Sequence, residues 1–419
     1  MPRPGLRVGV VFGGRSVEHD VSIITGLQAC EVLEARHQPV PIYIDREGRW
    51  FSGPSLRRLE TYQAPTLEAE PVVLDLGSGV LRAAAAPAPA APAPRRRGLL
   101  RGGGSVDAPG APAEPEAQRL DVIIPATHGT QGEDGCLQGA LELADIPYAG
   151  PTLECAVLAM NKTVTKAMLR AAQIPVVDDL TLRRADYERD GADATVARVK
   201  ARFGLPVYAK PASLGSSVGV ARCGDDSELA EALQLAFELD RLALVEPAVE
   251  GGKEINCAVL GRPGAELRVS VCEQPLASED GYLSFEDKYM RESGGKDAGG
   301  LKTEGMAATN RIIPAPISDE LTEQVAELSR RTFRAIGGTG VARVDLLLDA
   351  QDRLFVNEPN TIPGSFAFYL WEPAGLPFAD LIDELIEIAL AEHAEKHETT
   401  RTFESNLLAM RGKGGVEAS

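Results

Sequence analysis

The sequence predicts an α/β protein built from two or three packed units, the first of them a parallel sheet with covering helices. Three observations carry this. At 419 residues the chain is too long for one ordinary core. Short apolar runs alternate with stretches of helical period, the pattern of strands joined by helices. A hydrophobic content of 44% with 25% charged residues suits a globular protein, and no run approaches the ~18 apolar residues of a membrane span.

The elements follow in order. Arg7–Phe12 reads as a buried strand that Gly13 and Gly14 turn into a helix from about His19 to Leu33. Pro39–Ile44 and Val122–Pro125 read as further strands. Gly135–Ala144 reads as a helix with Leu137, Leu141 and Ala144 on one face. This first unit spans residues 1–150. Residues 82–118 interrupt it with alternating Ala-Pro, Arg95-Arg96-Arg97 and Gly102-Gly103-Gly104. So few large apolar side chains cannot offset the cost of ordering, and the stretch reads as a disordered, partly polyproline-like insertion.

A second, smaller unit covers 151–245. It holds a helix near Lys162–Ala172, the strand Pro206–Lys210, a Gly/Ser loop, the strand Val218–Arg222 and the helix Asp226–Leu239. The third, 246–404, carries strands near Glu254–Leu260, Val341–Leu348 and Leu354–Asn360. Its helices are Ser318–Ile336 and Phe378–His397, and 405–419 form a polar tail.

Composition narrows the function. With 43 basic against 61 acidic residues the net charge is −18, which argues against nonspecific nucleic-acid binding but leaves local anion sites open. Six scattered cysteines with no C-x-x-C pair read as buried free thiols. The N-terminus shows no signal-peptide pattern, so a cytoplasmic protein without a membrane partner is expected.

The chemistry-bearing residues cluster in a few segments. Ala342-Arg343-Val344-Asp345 and Asn357-Glu358-Pro359-Asn360 lie on apolar strands separated by the turn-like Asp349–Arg353, so they form a hairpin. Strand period places Arg343 with Asp345, and Glu358 with Asn360. Two carboxylates and an amide, without His or Cys, suit a hard cation such as Mg2+ held together with phosphates. A polar strand face neutralised by Arg343 accounts for the same residues.

Lys210 ends a strand before the loop Ser213–Gly219, whose backbone N–H groups and hydroxyls can wrap phosphate oxygens. The spacing is not that of a P-loop. Lys162 is a second candidate cation. Gly13–Glu18 and Thr127–Gly135 are strand-to-helix loops that emerge where open α/β sheets bind ligands. His393 and His397 are four apart on the last helix, a spacing that can bind metal. Among Glu392, Glu395, Lys396 and Glu398 they read as a solvated face.

Six segments, Gly13–Glu18, His128–Gly135, Lys210–Gly219, Glu286–Tyr289, Arg343–Asp345 and Glu358–Gly364, match in order the motifs of D-alanine–D-alanine ligases. The chain resembles that family over nearly its whole length apart from the insertion and tail. The resemblance implies a Rossmann-like N-terminal domain that binds substrate, followed by a two-part ATP-grasp fold with ATP between its halves. Lys162 and Lys210 would contact phosphates under a cover of Gly215, Ser216 and Ser217. Glu246 to Val249 would hold the adenine edge and Glu254 the ribose. Asp345, Glu358 and Asn360 would bind two Mg2+ ions, with Mn2+ as a substitute.

Further roles come with the same resemblance. Glu18, in a network with Ser216 and Tyr289, would anchor the ammonium of the first D-alanine, with His128 nearby. Lys288, on a lid from Tyr282 to about Ile313, would neutralise the transferring phosphoryl group. Arg343 and the Gly364 N–H would stabilise the tetrahedral oxyanion. Tyr369 and Leu370 fall in the second-substrate pocket, where the family usually has a serine instead of Tyr369. The implied reaction is ATP-dependent joining of two D-alanines through an acyl phosphate, for peptidoglycan precursors, by a cytoplasmic homodimer. A ligase with another amino-acid or hydroxy-acid acceptor is the alternative. A noncatalytic ATP-binding regulator is the third reading, against which Arg343, Lys288 and the metal ligands argue.

Overall fold

A computed structural model describes residues 5–84, 118–249, 251–276, 311–400 and 402. Strand β1 (Arg7–Gly13) is buried at six of its seven positions, and helix α1 (His19–Leu33) packs on it. Strand β2 (Gln38–Ile44) runs parallel to β1 on one side. Beyond β2 come β3 (Trp50–Ser52), β4 (Glu70–Asp75), β5 (Val80–Ala83) and β6 (Gln118–Arg119), each antiparallel to its neighbour. Strand β7 (Val122–Pro125) runs parallel on the other side of β1.

The seven-stranded sheet is therefore mixed, not wholly parallel, with order β6-β5-β4-β3-β2-β1-β7. The four added strands are short and mostly half-exposed, so they lack the continuous apolar run that marks a buried parallel strand. The edges of the expected insertion also move. Arg82 and Ala83 close β5 and Gln118 opens β6, with Leu81 opposite Gln118. The rest of that stretch, 85–117, lies outside the described residues, as does the expected tail, 405–419.

Helices α2 (Cys136–Leu143), α3 (Leu153–Met160) and α4 (Lys162–Ala171) lead out of this sheet. Asn161 separates the last two: its extended backbone breaks the helix, and its side chain then accepts from the N–H groups of Thr163 and Val164 to start α4. A four-stranded antiparallel sheet follows, of β8 (Leu180–Arg183), β9 (Val207–Pro211), β10 (Ala221–Cys223) and β11 (Leu242–Pro247), in the order β10-β9-β11-β8. Helices α5 (Arg184–Asp190), α6 (Ala192–Phe203) and α7 (Asp226–Leu239) accompany it, α7 capped by Asp225.

The third sheet has the order β14-β13-β12-β15-β16. Its strands are β12 (Lys253–Gly261), β13 (Arg268–Pro275), β14 (Arg311–Ile312), β15 (Gly340–Leu348) and β16 (Leu354–Asn360), with α8 (Asp319–Ala335) packed against it. The last helix, α9 (Phe378–His397), returns to the first sheet. One apolar cluster joins Val8, Val10 and Leu27 to Trp371, Leu381 and Leu385, so the first and last parts of the chain share a core. Buried Asp383 ties them further, 3.0 Å from His37 Nε2 and 2.5 Å from Arg36 Nη1. Five cysteines are buried free thiols, as expected; Cys136, at the start of α2, is exposed instead.

Because β5 and β6 stand as hairpin partners, residues 86–116 are removable without separating any strands paired among the described residues. Replacing them with a short Gly/Ser linker is expected to shift the thermal midpoint by no more than about 2 °C, since loop length changes closure entropy only slowly. Differential scanning calorimetry of the shortened chain checks this.

Candidate active site

Two sheets face each other across a cleft lined by Lys162, Lys210, Ser217, Glu246, Val249, Glu254 and Glu358, among others. Each charged side chain there has a structural reason for its position. The Asn161 cap presents Lys162 at the first turn of α4, where its Nζ donates to the Leu214 carbonyl (2.7 Å) and pairs with Glu358 (2.9 Å). Lys210, on β9, stands 2.5 Å from Glu246 on the adjacent strand β11 and 3.3 Å from the Asn357 amide oxygen. Glu246 also pairs with Lys166, which sequence reasoning did not single out. Lys166 shares the helical face of Lys162 four residues on, a signal that was present.

This packing of like and unlike charges sets the ionisation. Burial opposes the charge of Lys210, but Glu246 and Glu358 outweigh it and raise the pKa. Burial likewise works against the Glu246 carboxylate, and Lys210 and Lys166 prevail to hold it low. Lys166 goes the other way: burial pushes it down to about 8 despite Glu246. Lys162, Lys166 and Lys210 are thus gathered beside Glu246, Glu254 and Glu358, as cations that a phosphate chain can engage.

The Gly/Ser loop serves both sides, with Ser216 turned to Glu18 as the resemblance implied. Ser217 lines the cleft, and Ser216 donates its hydroxyl to Glu18 of the first unit. Both serines are left-handed, φ 50° and 61°, a strained state found where surrounding contacts fix it. Glu18 is buried and needs close backbone on two sides. A Cβ on Gly129 would come within 2.4 Å of its Oε2, and one on Gly215 within 3.0 Å.

The β15–β16 hairpin forms as its sequence suggests, with Asp345 opposite Glu358 and Arg343 opposite Asn360. Arg343 donates through Nε and Nη2 to the two oxygens of Asp345, 2.7 and 2.8 Å away, and the Asn360 amide donates to the same carboxylate at 2.9 Å. Asp345 is thus paired by Arg343 and still grouped with Glu358 and Asn360. An all-oxygen set of two carboxylates and one amide fits a hard divalent cation. Lys162 and Arg343 now supply the positive charge that such an ion would bring.

Arg343 is buried, and although burial disfavours its charge, Asp345 and Tyr369 raise its pKa well above the ordinary value. Its Nη1 lies 3.4 Å from the Tyr369 hydroxyl. That hydroxyl also donates to Glu273 at 3.4 Å, Glu273 pairs with Arg311 at 2.7 Å, and Arg311 lies over the Tyr369 ring at 4.1 Å. Burial, with Glu273 adding to it, raises the phenol pKa, so it remains a neutral donor. Leu370 is fully buried in the apolar core, which leaves only its backbone for a ligand.

Three residues stitch the first unit to the turn after β16. Thr25, on α1, contacts His128 Nε2 at 2.9 Å and accepts from the Ser365 N–H at 3.2 Å. Glu133 accepts from the Gly129 N–H (2.8 Å) and the Ile362 N–H (3.2 Å). His128 is buried, which lowers its pKa to about 4, so the ring is neutral at pH 7. Burial pushes the Glu133 carboxyl up to about 8, with Glu18 adding to the effect. The turn itself is left-handed at Ser365, Phe366 and Ala367, φ 53° each, directly after Gly364. Glu133 lay within a segment that sequence reasoning did quote; Thr25, Glu273 and Arg311 carried no such signal. Lys288 and Tyr289 lie outside the described residues.

Comparison with known proteins accords with this arrangement. A family model described as the D-ala D-ala ligase N-terminus matches residues 7–151, and one described as the C-terminus matches 168–387. The chain belongs to the D-alanine–D-alanine ligase family. Among relatives of this family, D-alanine–D-alanine ligase A of Escherichia coli K12 is 34% identical, covering 93% of this chain and 97% of the relative. The D-alanine–D-alanine ligase of Thermosipho africanus is 32% identical over 97% of this chain and 99% of its own. The solved D-alanine–D-alanine ligase of Coxiella burnetii superposes with a TM-score of 0.71 at 27% identity, covering 94% and 97% of the two chains. The VanG D-Ala:D-Ser ligase of Enterococcus faecalis gives 0.70 at 26% identity, with 92% and 99% covered.

The Glu133 environment carries a pH signature. A folded pKa of about 8 against an ordinary value of 4.5 means that the native state keeps a proton which the unfolded chain has released. Stability therefore falls as pH rises through that window. The thermal midpoint of the ligand-free protein is expected to drop between about pH 4.5 and about pH 8, and Glu133→Gln to flatten that drop. Thermal melts across the range check both.

Proposed function

We propose that this ligase-family chain joins two D-alanines at the expense of ATP, making D-alanyl-D-alanine for peptidoglycan precursors. The observation that carries the reading is one strand. β16 presents Glu358 to the lysine-lined cleft and runs on into Ile362, which Glu133 binds beside Glu18. Phosphate and amino-acid sites are thereby held on adjoining stretches of one backbone.

Lys162 and Lys210 hold the phosphates, Ser217 and Gly215 cover them, and Val249 with the Glu246 backbone flanks the base, with Glu254 at the ribose. Glu18, oriented by Ser216, holds the ammonium of the first D-alanine near His128. The carboxylate oxygen of that D-alanine attacks the γ-phosphorus; a new P–O bond forms, the bond from the γ-phosphorus to its bridging oxygen breaks, ADP leaves with the electrons, and an acyl phosphate results. The neutral amine of the second D-alanine then attacks the acyl carbon, the C–O bond to phosphate breaks, and inorganic phosphate departs with the bonding electrons and takes up the proton that the nitrogen sheds. Arg343 and the Gly364 N–H stabilise the intervening oxyanion. Asp345, Glu358 and Asn360 would hold two Mg2+ ions, or Mn2+, whose chemistry is to neutralise phosphate charge. The family resemblance adds Lys288 as a further cation and Tyr289 as a third member of the Glu18–Ser216 network. Positioning and charge neutralisation, with no nucleophilic side chain, account for the whole reaction.

A second reading differs only in the acceptor. Tyr369 with its Glu273–Arg311 partners occupies the region assigned to the second substrate, and one similar structure is titled a D-Ala:D-Ser ligase. The backbone of Leu370 would share that subsite. The reading also carries a cytoplasmic homodimer, open to sedimentation analysis.

Phosphate release is expected with ATP, Mg2+ and D-alanine alone. No release with D-alanine alone, but release once D-serine or D-lactate is added, would replace the first reading by the second. Arg343→Lys, which keeps a charge for Asp345 but not the planar fork, is expected to lower kcat by about 10²–10³ while ATP binding persists. Asp345→Ala is expected to abolish Mg2+-dependent turnover.

A further inference from the structure

The two histidines on α9 do not stand on an open solvated face. Asp145, which follows α2 in a left-handed turn (φ 53°), reaches them from the first unit. His397 Nε2 lies 3.1 Å from Asp145 Oδ1, and His393 Nε2 lies 3.4 Å from the same oxygen. The two Nε2 atoms are 3.3 Å apart. His393 Nε2 is also 3.2 Å from the Asp145 carbonyl oxygen. Metal–donor bonds of about 2.0–2.1 Å in tetrahedral geometry set neighbouring donors about 3.3 Å apart. The three atoms therefore already have the spacing of one face of a zinc tetrahedron.

If both Nε2 atoms carry protons toward Asp145, those two N–H groups crowd each other across 3.3 Å. One divalent ion would accept all three donors at this spacing. The charges around it permit a cation: Lys396, from the next position on the helix surface, is paired with Glu142 and lies 5.4 Å from the Tyr148 ring. Glu392 is engaged by Arg262. The cluster is half-exposed, with His393 at 26%, His397 at 47% and Asp145 at 56%, so an ion can enter and keep water as its remaining ligand.

We infer that Asp145, His393 and His397 form a surface site for Zn2+ or a similar nitrogen-seeking divalent cation, which staples the first unit to the last helix. It is separate from the all-oxygen set of Asp345, Glu358 and Asn360. Two nitrogens and one carboxylate favour Zn2+ over Mg2+, which prefers oxygen and keeps its water. The site joins the same two parts of the chain that share a core and that meet at the Glu133–Ile362 contact.

Calorimetric titration of Zn2+ into the full chain, with excess Mg2+ and a nonhydrolysable ATP analogue to occupy the oxygen site, tests this. One zinc per chain is expected, bound at least ten-fold more weakly by His393→Ala, His397→Ala and the conservative Asp145→Asn. Zinc should raise the thermal midpoint of the unmodified protein and of Cys136→Ser, but not of those three variants. Absence of binding, or equal affinity in all variants, would overturn the assignment and leave an ordinary His–Asp hydrogen-bond cluster.

Discussion

A guanidinium and a carboxylate two residues apart on one buried strand form the interaction on which the site depends. Arg343 and Asp345 lie on the same face of β15 and are held by two hydrogen bonds. Taking both charges out of water is costly, and a pair of this kind lasts only when its remaining hydrogen bonds are filled. Asn360 and Tyr369 fill them. Removal of either partner would strand a buried charge, at a cost of about 3–5 kcal/mol. The pair thereby fixes both the proposed metal-ligand oxygen and the proposed oxyanion donor before any ligand arrives.

The same local grouping of charge suits an acidic protein to the triphosphate proposed for it. The net charge is −18, yet Lys162, Lys166 and Lys210 are gathered at the cleft, held there by Glu246 and Glu358. The carboxylates keep these lysines in place as cations that phosphate oxygens can engage. At the site proposed for the amino acid, two carboxyls, Glu18 and Glu133, lie close together, and the second is pushed toward its protonated form. A substrate ammonium would relieve that repulsion.

Much of this was legible in the sequence where a period was long and unbroken. Helices α1, α7 and α9 and strand β16 run between the residues their patterns suggested. The Arg343–Asp345 hairpin followed from two apolar runs and one turn. Less legible was anything set by a partner distant in the chain. The strands β3 to β6 have weak patterns and exist because a sheet edge receives them. Thr25 looks like an ordinary mid-helix threonine until Ser365, 340 positions on, donates to it. Glu273 shares β13 with Arg268 and Arg311 opens the two-residue β14, and only their shared contact with Tyr369 gives them meaning. His393 and His397 were visible as a pair, but Asp145 belongs to another unit.

Every contact discussed serves one chemical claim, that an amino-acid carboxylate held near Glu18 attacks the γ-phosphorus of ATP bound by the lysines. An isotope transfer tests it most directly. D-alanine carrying 18O in both carboxylate positions is turned over with ATP and Mg2+, and the inorganic phosphate is examined by mass spectrometry. An acyl phosphate requires one 18O atom to pass from the carboxylate to each phosphate released. Phosphate without the label, formed alongside dipeptide, would contradict the account.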